Sequence, residues 1–76
     1  MKVVAITMNQ CPRCVQAKNL LDGDTRVTWL NNETPEAMKL IANHDLEDKS
    51  APIFIIDDTK VVNSILRVKM MLDNTE

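Results

Sequence analysis

The chain has 76 residues, a formal net charge of −2 and a charged fraction of 26%. A chain this short forms a single domain, here residues 1–76, and its core is thin because small domains bury only about 60% of their unfolded surface. The charge balance excludes the basic surface typical of nucleic-acid-binding proteins. Trp29 and Phe54 are the only aromatic residues, so a set of rings for base stacking is also missing. The core is therefore expected to be aliphatic, with the five methionines as filler.

The N-terminal segment does not have the pattern of a signal peptide. Its apolar run, residues 3–6, is too short and is followed by Thr7 and Asn9. No segment reaches the ~20 apolar residues that a membrane-spanning helix needs. We therefore expect a cytoplasmic protein without a membrane partner, in which a lone cysteine pair is more often catalytic or metal-binding than structural.

The first predicted elements flank the cysteine pair. Residues 2–7 form a nearly continuous apolar, β-branched run, which is typical of a central strand. Residues 8–10 are expected to form a turn. A helix begins after it at Pro12, since the fixed φ of proline suits the first helical position. Gly23 is expected to end this helix as a left-handed cap. The residues predicted on its core face are Cys14, Ala17, Leu20 and Leu21.

A strand and a helix follow. Residues 26–30 read as an edge strand with Val27 and Trp29 on one face. Thr34 is the expected N-cap of the second helix, Pro35 occupies its first turn, and the helix runs to about residue 44. The residues predicted on its core face are Ala37, Met38, Leu40, Ile41 and His44.

The last third of the chain predicts a hairpin and a helix. Residues 51–56 form the most apolar strand, and Pro52 is tolerated near its start because no ladder donor is lost there. Residues 57–60 are a hairpin turn to a short strand at 61–62. Asn63 and Ser64 offer an N-cap for the last helix, whose predicted core face is Ile65, Val68, Met71 and Leu72. Residues 74–76 are expected to fray.

The resulting element order is β-α-β-α-β-β-α. The first β-α-β unit requires parallel strands and a right-handed crossover, whereas the final hairpin is antiparallel. The predicted fold class is therefore α/β, with a four-stranded mixed sheet flanked by three helices.

The cysteine pair carries the strongest chemical signal. Cys11 lies at a helix N-terminus, where free backbone N–H groups and the helix dipole stabilise a thiolate. Arg13 adds a permanent positive charge beside it. Cys14 lies one turn further in. We expect Cys11 to attack a partner disulfide and Cys14 to release the resulting mixed disulfide.

Three features together carry a family likeness: Cys-Pro-Arg-Cys at residues 11–14 after the first strand, Ala51-Pro52 opening the third strand, and the element order. The whole chain resembles the thioredoxin superfamily, and its length resembles the glutaredoxins and glutaredoxin-like electron donors. The resemblance implies a thioredoxin-like fold, with Cys11 as nucleophile and Cys14 as resolving cysteine. It also implies a cis Pro52 packed beside the cysteines and a backbone pairing of Ala51 with a bound peptide or glutathione.

The implied function is a dithiol–disulfide oxidoreductase that reduces protein disulfides as a monomer without a tightly bound cofactor. Pro12, Arg13, Ala51 and Pro52 would contact the substrate. Ribonucleotide reductase is a candidate client, and either glutathione, as a co-substrate, or a thioredoxin reductase would recharge the protein. Arg13 replaces the tyrosine of typical glutaredoxins, and residues 61–64 lack their glycine pair, which helps to hold glutathione.

Other interpretations stay open. One alternative is that the two cysteines supply half of the ligands of a zinc site. Zinc takes four ligands, however, and His44, the only histidine, lies on another helix. A dimer could share two cysteine pairs or bridge an iron–sulfur cluster. A partner-binding or metal-binding module with a thioredoxin-like surface and no exchange activity is the second hypothesis. His44 reads as a helix-end residue, Asp57 and Asp58 as turn residues, and Trp29 as a packing residue.

Overall fold

A computed structural model describes residues 1–74 of the chain. The elements are β1 (Val3–Thr7), α1 (Pro12–Leu20), β2 (Val27–Asn31), α2 (Pro35–Asn43), β3 (Ile53–Ile56), β4 (Lys60–Val62) and α3 (Ile65–Asp73). Of the segment expected to fray, Asn74 is the C-cap of α3, and Thr75 and Glu76 lie outside the described residues. Across residues 1–74, none of the helices has the length and apolarity required to cross a membrane.

The strands form one mixed sheet in the order β2-β1-β3-β4. β1 pairs in parallel with β2 and antiparallel with β3, and β3 pairs antiparallel with β4. β1 and β3 are buried at every position, whereas β2 lies at an edge and is partly exposed. The predicted four-stranded mixed sheet with three helices is confirmed, as are a central first strand and an edge second strand.

The sheet has a hydrophobic core on each face. Alternate residues of the two central strands point to opposite faces, as the period of a strand requires. The core shared with α1 and α3 consists of Val3, Ala5, Ala17, Leu21, Val27, Phe54, Ile56, Val62, Val68 and Leu72, with Trp29 packed against it. The core shared with α2 consists of Val4, Ile6, Ala37, Leu46, Ile53 and Ile55. Both faces of the central strands are thus covered.

Three predicted details of the helices are wrong. Leu20 and Met38 were expected on core faces, but they are 39% and 56% exposed. Leu20 directly precedes the buried Leu21, and Met38 directly follows the buried Ala37. Because successive helical residues point about 100° apart, each of these short helices buries only one narrow stripe of side chains. The C-cap of α1 is Leu21 rather than Gly23, which has φ +81° two residues further on.

Local polar signals set the element boundaries as predicted. The Thr34 hydroxyl accepts the Ala37 N–H at 3.2 Å, which identifies Thr34 as the N-cap of α2. In the hairpin turn, Asp57 and Asp58 have φ angles of 51° and 65°, and type I′ turns require positive φ at both central positions. The side chain of Asp57 also accepts the Lys2 backbone N–H at 2.9 Å, so the turn is fastened to the start of β1.

Arg26, in the segment before β2, forms a salt bridge with Asp24 and a hydrogen bond with the end of α3. The Arg26 guanidinium donates to both carboxylate oxygens of Asp24, at 2.9 and 2.8 Å, and also to the Leu72 carbonyl at 3.1 Å. The hydrogen bonds that the Arg26 side chain and backbone N–H donate to the carboxylate lower the pKa of Asp24 to about 2, from an ordinary value of 3.8.

The Asp24 carboxylate therefore makes folding stability depend on pH. Its pKa is lower in the folded chain than in the unfolded chain, so its contribution is present above about pH 4 and is lost as the pH falls towards about 2. We expect Asp24→Asn to lower the urea midpoint at pH 7, and this difference from the wild type to shrink by pH 2.

The matched control is Asp22→Asn, which removes an exposed carboxylate from the same turn. Urea unfolding at pH 7, 4 and 2 should show little effect of this control. Equal losses for the two variants, or a loss in Asp24→Asn that does not change with pH, would contradict the assignment.

Candidate functional site

Cys11 is the N-cap of α1. Its backbone is extended, with φ −118° and ψ 100°, and Pro12 occupies the first turn of the helix. The Cys14 backbone N–H donates to the Cys11 sulfur at 3.1 Å. The sulfur thus takes the place of the side-chain oxygen that usually caps a helix, and it receives an N–H that would otherwise lack an intrahelical partner.

Cys11 and Cys14 form a disulfide, with their Cα atoms 5.2 Å apart. The two sulfurs differ in accessibility. Cys11 is half-buried, whereas Cys14 is 3% exposed and belongs to the buried stripe of α1. The chain therefore holds a redox-capable pair in which one cysteine faces solvent and the other does not.

The segment that enters β3 lies against this pair. The Cys11 sulfur is 3.8 Å from the Ala51 carbonyl oxygen, and the Ala51–Pro52 peptide bond is cis, as the family resemblance implies. Ile6 pairs with Ile53, so the end of β1 and the beginning of β3 lie side by side. This pairing brings Cys11 and Ala51 together, although they are 40 positions apart in the sequence.

A network of side-chain amides holds the loop between β1 and α1. The Asn31 side-chain amide donates to the Asn9 side-chain oxygen Oδ1 at 2.9 Å, and the Asn9 side-chain amide donates to the Glu33 carboxylate at 3.0 Å. The Glu33 backbone N–H donates to the Asn31 side-chain oxygen at 2.9 Å. Sequence reasoning missed this network. The usable signal was that β1 and β2 are parallel, because the residues that follow parallel strands meet at one edge of the sheet.

Gln10, which directly precedes Cys11, has φ +55°. This left-handed conformation disfavours a residue with a β-carbon by about 1–2 kcal/mol. The amide network on one side and the helix cap on the other hold the backbone in this conformation. The turn that presents the Cys11 sulfur is therefore held by contacts outside Gln10 itself.

An open groove of about 440 Å³ runs beside Cys11. The residues that line it are Met8, Asn9, Gln10, Cys11, Pro12, Arg13, Lys49, Ser50 and Ala51. The predicted contact residues Pro12, Arg13 and Ala51 thus lie together beside Cys11, whereas Pro52 is fully buried. Lys49 and Ser50 were not predicted, because a polar connection between a helix and a strand has no periodicity that marks a site.

Within residues 1–74, no cluster of three or more histidine, cysteine, aspartate or glutamate residues has a geometry that could hold a metal ion. His44 is the C-cap of α2, in keeping with its prediction as a helix-end residue. A metal or cluster site that uses Cys11 and Cys14 would therefore need ligands from a second copy of the chain or from elsewhere. The shared-site interpretation stays a prediction.

Comparisons of the chain with protein-family models, curated proteins and solved structures give no match. The fold and the site by themselves show a small α/β protein whose cysteine pair is compatible with a thioredoxin-like protein and with redox activity.

The difference in accessibility between the two sulfurs predicts selective alkylation. After reduction of the disulfide, iodoacetamide should modify Cys11 at least about tenfold faster than Cys14 at pH 7, because only Cys11 reaches solvent and has a helix N-terminus to stabilise its thiolate. Peptide mapping by mass spectrometry gives the two rates. In 8 M urea, which serves as the control condition, the rates should converge, and equal rates in the native protein would contradict the site.

Proposed function

We propose that the protein is a thioredoxin-like dithiol–disulfide oxidoreductase of the glutaredoxin type that reduces protein disulfides through Cys11 and Cys14. One observation carries the proposal. The half-buried Cys11 sulfur caps α1 and accepts the Cys14 N–H at 3.1 Å, while its bonded partner Cys14 is 3% exposed. A structural disulfide needs no such difference between its two sulfurs.

The first step starts from the reduced protein. Cys11 loses its proton, and the thiolate is stabilised by the Cys14 N–H, the N-terminus of α1 and the charge of Arg13. The thiolate attacks one sulfur of a client disulfide. A bond forms between Cys11 and that sulfur, the client disulfide breaks, and the other client sulfur leaves as a thiolate that takes up a proton.

The second step uses the buried cysteine. Cys14 loses its proton and attacks the Cys11 sulfur, the mixed disulfide breaks, and the second client sulfur leaves as a thiol. The client gains two electrons and two protons, and the protein ends with the disulfide between Cys11 and Cys14. Because Cys14 is buried within bonding distance of Cys11, it reaches the mixed disulfide but not a free client.

The groove beside Cys11 is the place for the client. Ala51 offers its backbone next to the reacting sulfur, with its carbonyl oxygen 3.8 Å away, and Pro12 and Arg13 also line the groove. Pro52, which is joined to Ala51 by the cis peptide bond, is fully buried and does not line the groove. A client in an extended conformation would pair with Ala51 while its disulfide meets Cys11.

The exchange proposal predicts different outcomes for the two cysteines. Cys11→Ser should lower the reduction of a disulfide-bonded peptide to the uncatalysed background, since the attacking thiolate is lost. Cys14→Ser should still attack and should accumulate a mixed disulfide, visible in the intact mass as the added half of the peptide. The double variant is the control for background exchange. Full multiple-turnover activity in Cys11→Ser would refute the assignment, and a wild type without exchange activity would favour a binding module.

The reductant is tested by coupled assays. Glutathione with glutathione reductase, or a thioredoxin reductase with its nicotinamide cofactor, should sustain turnover of a protein disulfide such as that of ribonucleotide reductase. Cofactor oxidation reports the rate in each assay, and Cys11→Ser gives the blank. Failure of both systems to sustain turnover would contradict a role as a recycling electron carrier. We propose that this carrier is monomeric and acts in the cytoplasm.

A further inference from the structure

The groove beside Cys11 is cationic, although the chain as a whole has a net charge of −2. Its charged lining residues are Arg13, on α1, and Lys49, on the connection between α2 and β3. Both side chains are exposed, and within residues 1–74 neither forms an ion pair. Within residues 1–74, no acidic residue lines the groove. Glu33 accepts the Asn9 amide, Glu47 lines a neighbouring cavity that Lys49 also lines, and Asp48, directly before Lys49, is exposed.

The two cations belong to the two segments that carry Cys11 and Ala51. Arg13 follows Cys11 by two residues, and Lys49 precedes Ala51 by two, with the Ala51 carbonyl oxygen 3.8 Å from the Cys11 sulfur. They come from two different chain segments that line one groove. A client segment whose disulfide meets Cys11 therefore lies in a groove that both cations line.

We propose that the preferred clients present aspartate or glutamate residues beside the disulfide to be reduced. This inference rests on the exchange activity proposed above and adds the substrate class. The guanidinium of Arg13 is suited to a bidentate contact with a carboxylate, and Lys49 supplies a second, point-like charge. Since both are solvent-exposed, their main effect is on the rate of encounter and on discrimination between clients.

A single-turnover experiment tests the proposal without any recycling reductant. The protein is reduced and desalted, then mixed with one of two disulfide peptides that differ only in two flanking residues, Glu in one and Gln in the other. We expect the Glu peptide to be reduced about fivefold faster at an ionic strength of about 10 mM, and the ratio to approach one at about 1 M salt.

Variants assign the preference to the two cations. Arg13→Gln and Lys49→Gln should each lower the rate ratio, and the double variant should bring it close to one. Arg13→Gln also changes the environment of Cys11, but that change affects both peptides alike, so the ratio isolates recognition. The matched control is Lys60→Gln, an exposed cation on β4 that pairs with Ile56, at the opposite end of β3 from the groove. It should leave the ratio unchanged.

The outcomes separate the two proposals. If the reduced wild type reacts with neither peptide, the oxidoreductase proposal fails. If it reduces both at equal rates, exchange stands and the acidic substrate class is overturned. A preference for the Glu peptide that survives in the Arg13→Gln, Lys49→Gln double variant, or that disappears in Lys60→Gln, would likewise overturn the assignment to this groove.

Discussion

The antiparallel register between β1 and β3 determines what Cys11 faces. Ile6 pairs with Ile53, so the chain leaves β1 next to the point where it enters β3. The Cys11 sulfur, which caps α1, thereby lies 3.8 Å from the Ala51 carbonyl oxygen. A shift of this register by one residue would move Phe54 out of the core that it shares with α1 and α3 and onto the α2 face. The packing around Phe54 therefore also stabilises the register that sets the geometry of the site.

The parts of the fold that sequence alone predicted are those with local causes. Thr34 identifies the start of α2 because an N-cap needs an oxygen near the first free N–H groups, and that requirement is met within four residues. The apolar run of residues 3–6 predicts a central strand because only a strand covered on both faces buries consecutive side chains. The pair Cys11 and Cys14 is likewise marked by its spacing, and the proximity of Ala51 came from the family resemblance.

The rest of the site depends on contacts between residues far apart in the chain, for which the sequence has no periodic signal. Asn9 meets Asn31 and Glu33 only because two parallel strands end at the same edge. Lys49 lines the groove because its connection passes the N-terminus of α1, which is a matter of tertiary placement. The predicted burial of Leu20 is wrong for a related reason. Helical periodicity identifies the side of a helix that faces the core, but it does not decide which residue at the edge of that face is covered.

The two sides of the groove have different degrees of structural constraint. The side that carries the cysteines belongs to α1, which Ala17 and Leu21 anchor in the core with 0% and 3% exposure. The other side includes Lys49 and Ser50, which belong to the connection 47–50. This connection is exposed throughout and lies between the core residues Leu46 and Ala51. Side chains on an anchored helix are held in a fixed geometry, whereas exposed connections tolerate changes of sequence. In the proposed function, chemistry on α1 and client recognition on the connection would therefore be separable. Substitutions at Lys49 and Ser50 would change client preference without disturbing the helix cap at Cys11.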